Sequence, residues 1–104
     1  MPTGEDQLNP RGLMKAARET REQTAQLQAQ VDGFLARLAD TADLAEAFDD
    51  AVMREDRDAV VELLRKSGLE GEITIEQLEA DRRMEFTYCL IAGLFVCHKI
   101  VVGW

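Results

Sequence analysis

The sequence predicts a mainly α protein: a small bundle of about four helices with an apolar C-terminal tail that is a β-hairpin or extended. Three observations lead there. Ala, Leu, Glu and Arg dominate a chain of 104 residues, and these are the residues that lose least on entering a helix. Apolar positions recur at helical spacing through the first 85 residues. At residue 86 the chemistry changes abruptly. Aromatics at 6 % and only two Pro argue against sandwiches and repeat arrays. A chain this short is one small domain burying roughly 60–70 % of its unfolded surface, which suits a helical core and is too little for most enzymes.

The formal charge is −8, from 12 basic and 20 acidic residues, which argues against nucleic acid or an anionic membrane as the main partner. Two Cys are too few for a disulfide-dense secreted scaffold. The start Met1-Pro2-Thr3-Gly4-Glu5-Asp6 has neither a basic nor an apolar signal region, so cytoplasmic residence is expected.

Along the chain, Asn9 followed by Pro10 reads as a helix cap with Pro at the first helical position. Leu13, Ala17, Thr20, Thr24, Leu27, Val31, Phe34 and Leu38 then recur in steps of four and three, a heptad seam. Its first half is weak in Ala and Thr, so this helix should lean on a partner or a second copy. Gly33 inside it costs about 1 kcal/mol. A second helix from Asp40 or Thr41 aligns Leu44, Phe48, Ala51 and Val52. A third, opened by Glu55-Asp56, carries Val60, Leu63 and Leu64 and stops at Gly68, with Arg65 and Lys66 suiting its C-terminal dipole. Thr74 with Gln77 forms a capping box, with Ile73 and Leu78 as its staple, and predicts a fourth helix over about 75–84, followed by a charged hinge through Glu85.

Residues 86–104 hold 14 apolar residues among 19, four of the six aromatics, both Cys and the only His. The preceding 85 residues carry 11 basic against 20 acidic groups, a net −9. Three segments follow: an N-terminal helical extension at 1–33, a helical domain at 34–85 and the tail at 86–104. As a membrane span the tail is short, since Phe86 to Cys97 is a run of 12 before His98 and Lys99, against about 20 for a crossing. It could still contact a membrane. As a hairpin turning at Ala92-Gly93 it would set Ile91 opposite Phe95 and Cys89 opposite Cys97, within reach of a disulfide. In a helix the two cysteines would be more than two turns apart. Both cysteines also read as ordinary buried hydrophobes. Cys89, Cys97 and His98 lack metal-ligand spacing, and a single His without a carboxylate orienter is a poor catalyst, so no enzyme activity, metal or cofactor is expected.

Residues 34–80 resemble the nitrogen-fixation-protein-type leader peptides of ribosomally synthesised, post-translationally modified peptide precursors. The match runs through Phe34, Leu35 and Leu38, the acids Asp40 and Asp43, Leu44 and Phe48, Val60 and Val61, Gly68, and Thr74 to Leu78. The resemblance implies a helical leader held by modifying enzymes and a C-terminal core that is their substrate. It implies partner binding through Phe34, Leu35, Leu38, Leu44 and Phe48. The candidate modified residues are Cys89, Cys97, Lys99 and Trp104, the last because some scaffold peptides carry a terminal Trp that enzymes elaborate. Thr87 is the tail's only hydroxyl side chain apart from Tyr88, which argues against a multiply dehydrated product. The alternative is a non-catalytic structural or assembly subunit, its tail buried in a larger complex or membrane and its first helix self-associating. In both, the partner is a protein, a modifying enzyme or an assembly partner; a third reading is a small regulatory helical protein whose tail completes its own core.

Overall fold

The computed structural model describes residues 10–92 and 94–104, which leaves the Asn9 cap, Gly93 of the expected turn and the side chain of Phe95 outside the described residues. Three helices, α1 (Pro10–Asp40), α2 (Ala42–Met53) and α3 (Arg57–Lys66), precede three strands, β1 (Glu72–Glu79), β2 (Arg83–Ala92) and β3 (Leu94–Gly103). The strands form one antiparallel sheet in the order β1-β2-β3. The four-helix expectation is therefore corrected to an α+β fold.

The helix expected at 75–84 is strand β1, a turn and the start of β2. Thr74-x-x-Gln77 satisfies the capping pattern, but Ile73 and Ile75 also alternate with polar residues at strand spacing. The ladder with β2 decides: Ile73 pairs with Tyr88, Thr74 with Thr87, Ile75 with Phe86 and Leu78 with Met84. A register shift between Ile75 and Gln77 returns Leu78 to the core-facing side. The supposed staple pair thus shares a sheet face. The charged hinge is the hairpin itself, closed by the Arg82 amide on the Glu79 carbonyl at 2.9 Å, with Arg82 at φ 74°.

The second and third helices end and begin as their sequences indicate. The Asp56 carboxylate accepts the Ala59 amide at 3.1 Å, capping α3. Gly68, at φ +101°, lets the Leu69 amide reach back to the Leu64 carbonyl at 3.2 Å, and both leucines are fully buried beside this stop. Gly71 permits a second close approach, because a Cβ there would lie 2.2 Å from the Cys89 carbonyl oxygen. Its amide donates to the Tyr88 hydroxyl at 2.9 Å, and that hydroxyl donates to Gln30 Oε1 on α1.

The apolar tail is part of the core. β2 and β3 pair Met84 with Val102, Phe86 with Ile100, Tyr88 with His98 and Leu90 with Val96 on the face toward the helices. Phe86, Tyr88 and Ile100 are buried with Phe34, Phe48 and Leu64, and Leu90, Val96 and Val102 pack against them. Phe34 meets the rings of Phe48 and Phe86 edge to face at 5.7 and 6.1 Å. Each such burial contributes roughly 1.5–3 kcal/mol, so the helices and the sheet stabilise each other. α1 runs unbroken through residue 33 and β2 through residue 85.

The opposite sheet face holds Glu85, Thr87, Cys89, Cys97, Lys99 and Val101. Cys89 and Cys97 are a cross-strand pair joined by a disulfide. Beside it the Glu85 carboxylate is ion-paired with Lys99 and with Arg83, the latter at 3.5 Å. The Lys99 hydrogen bond holds Glu85 below the usual carboxylate range and, with its charge, raises Lys99.

Candidate functional site

Two features outside the core could meet another molecule. The first is the N-terminal half of α1. A 31-residue helix is about 46 Å long, and the molecule measures 58 × 24 × 19 Å, so α1 sets its longest dimension. Its buried residues are Leu27, Val31 and Phe34. Before Leu27 the seam residues Leu13, Ala17 and Thr20 are exposed, Leu13 at 72 % with its neighbour Met14 at 57 %, and Thr24 is half-buried. A groove lined by Leu13, Ala17, Thr20 and Thr24 continues through Ala25 and Gln28 into a second one reaching Asp32, Leu35 and His98. Together they form a shallow track along the helix, shaped like the seat for another helix. Arg11, Lys15, Arg18 and Arg21 against Glu19 and Glu22 give residues 10–22 a net +2 in a chain of −8. α2 carries Asp43, Glu46, Asp49 and Asp50 and no basic residue.

The second feature is a cleft of about 460 Å³ where α1, α2 and the sheet meet. Phe48 and Met84 lie along it, buried, with Leu38, Ala45, Val102 and Trp104 as walls and Glu46 and Asp49 as its polar groups. The Trp104 indole donates to Asp49 Oδ1 at 2.8 Å, and Arg82 Nε donates to the same oxygen at 3.1 Å. The Trp104 backbone amide is bound to the Arg82 carbonyl at 3.0 Å. The indole bond first, then the Arg82 charge, keeps Asp49 ionised below its ordinary pKa despite some desolvation.

The residues singled out from the sequence scatter. Phe34 and Phe48 are inside the core, Leu38 and Leu44 are partly buried against it, and Leu35 is 37 % exposed on the α1 groove. Cys89 and Cys97 are bonded to each other, Lys99 is on the outer sheet face and Trp104 walls the cleft. The five apolar positions therefore do not form one open surface. Sequence reading missed Asp49, Arg82 and the cleft, because the partners lie 33 and 55 residues apart along the chain and no local pattern joins them.

Among the described residues no group of three His, Cys, Asp or Glu side chains could hold a metal ion, and no helix is long and apolar enough to cross a membrane. No known family, curated protein or solved structure matches the chain.

Proposed function

We propose that the chain is a non-catalytic assembly module, a disulfide-stapled α+β head carrying a helical arm that docks on a second copy of itself. The observation that carries this reading is the arm at residues 10–26, a helix whose apolar seam the chain's own head leaves uncovered. The docked half of α1 nucleates this stretch, and covering its apolar stripe with a partner would stabilise it further, since most helical stability comes from packing an apolar face. A second copy fits because the stripe is self-complementary: in an antiparallel crossing about Thr24 the basic residues 10–22 lie opposite residues 26–38 of the partner molecule, which carry Asp32 and Arg37 and no net charge to repel them. Antiparallel packing about Thr24 places Leu13 of each copy beside Leu35 of the other, a self-complementary two-fold contact.

Sedimentation equilibrium on the full chain tests this. A dimer that Leu13→Glu and Thr20→Glu dissociate is expected. A monomeric mass at about 1 mM, where an association worth only ~4 kcal/mol half-populates the dimer, would overturn the reading.

A second reading, that of a modified-peptide precursor with residues 34–80 as leader, draws support from Lys99 on the outer sheet face and from Trp104, 48 % exposed, both open to an enzyme without unfolding. It predicts a shifted or shortened intact mass for the protein from its native producer. An unmodified chain of full mass counts against it. Cytoplasmic residence, in either reading, would keep Cys89 and Cys97 as two thiols, while an oxidising compartment would close the staple.

A further inference from the structure

We infer that the cleft walled by Trp104 binds a small amphiphilic cation, an alkyl- or arylammonium whose apolar body lies along Phe48 and Met84 and whose charged head meets Glu46 at the mouth.

Its size is that of small-molecule sites, and its composition is theirs as well: apolar walls with few polar groups. The walls come from three separate elements packed on the core, so the cavity is held by the fold and not by a loop. Phe48 and Met84 are 2 % and 1 % exposed, which makes the inner lining rigid. Trp104 is held at two points, by its indole on Asp49 and by its backbone amide on Arg82. The ring is therefore a preformed wall, and its face suits a cation as well as an alkyl chain.

The sign of the ligand's charge follows from the carboxylates. The carboxylates lining the cleft are Glu46 and Asp49, and Arg82 is engaged by Asp49 and by Met53 Sδ at 3.4 Å. Glu46 lies one turn before Asp49 on α2, so the two carboxylates point the same way. Asp49 is paired with Arg82, which leaves Glu46 as the carboxylate that meets a cationic head. A carboxylate amphiphile of equal length would be repelled by the rim and by the net charge of −8.

Trp104 is the chain's single Trp, so its emission reports on the cleft alone. Octylammonium, octanol and octanoate are titrated separately into the full-length protein, well below their micelle concentrations. A saturable blue shift with octylammonium is expected, with octanol several-fold weaker and octanoate without effect. Glu46→Gln should weaken octylammonium roughly twofold to fivefold, the scale of one exposed ion pair, and leave octanol unchanged. Methyl NMR shifts at Val102 and Ala45 supply a readout that Trp104→Phe does not remove. No saturable change, or octanoate binding as well as octylammonium, would overturn the proposal. So would an emission shift that follows protein concentration and resists ligand, because the cleft would then be covered by the second copy.

Discussion

Phe34 touches two aromatic rings and is closed to solvent, whereas Leu13, about six turns earlier on the same helix and the same seam, is 72 % exposed. One continuous helix thus joins a head whose elements bury an apolar face and an arm whose seam residues Leu13, Ala17 and Thr20 are exposed. Around Phe34 the seam residues are Leu, Val and Phe, large enough to fill a core. Around Leu13 they are Ala and Thr, which allow close approach of another helix and contribute little burial alone. The difference teaches that a heptad seam states which side of a helix is to be covered, while side-chain volume states whether the chain's own core covers it.

The sharpest way to break the comparison is at Phe34. Phe34→Ala removes both ring contacts and should cost about 3–5 kcal/mol, enough to unfold much of the head, read from the denaturant midpoint. Reduction of Cys89–Cys97, a bridge across a sequence separation of 8, should lower stability by about 2–3 kcal/mol on the chain-entropy account. In a domain of this size that is roughly a 10–20 °C fall in melting temperature. The arm, which makes no contact with the disulfide, should keep its ability to associate.

Gly33 stands where arm and head meet, inside the helix, and a methyl group added there would find nothing within 4 Å. Gly33→Ala should therefore raise stability by about 1 kcal/mol, the helix-propensity difference. No gain would mean that the helix needs its freedom at that point.

Smaller still is the acid limb of the stability curve. Glu85 has a folded pKa below its unfolded value, so its stabilising contribution is complete above the ordinary Glu range near 4.3 and disappears as the pH falls through the lowered folded value. Lys99, raised by the same pair, keeps its part below its ordinary value near 10.4 and loses it as the pH climbs through the folded one. Glu85→Gln should flatten the stability profile at both limits and leave the association of the arm untouched. The smallest effect belongs to the arm. Leu13→Glu should change the stability of the monomeric head by no more than about 0.5 kcal/mol, measured at a dilution where wild type is also monomeric, while it weakens association.

Much of the helical half was legible from local rules. The step-of-four-and-three seam placed Leu27, Val31 and Phe34, and Asp56, Arg65, Lys66 and Gly68 marked the ends of α3, because caps and dipoles act within one turn of the residues that make them. The facing of Cys89 with Cys97 followed from one hairpin register, again a local matter. The β1 segment was misread for a definite reason. Thr74 and Gln77 satisfy a helix cap within four residues, and the β2 partners that outweigh it lie between 4 and 17 residues away. The candidate sites were less legible. Exposure of the α1 seam depends on where the head stops, and the Asp49–Arg82–Trp104 cluster depends on how α2 docks on the sheet.

The amino-acid order by itself determined an acidic chain with one long amphipathic helix, two shorter capped ones and a strand-prone end, because each of these is set by neighbours within a few residues. Only the tertiary structure decided that the strand-prone end pairs with residues 72–79, joins the core through Phe86, Tyr88 and Ile100, and closes the Trp104 cleft. Those outcomes rest on hydrogen bonds and apolar contacts between residues far apart in the chain, where the gain of burial outweighs any local preference.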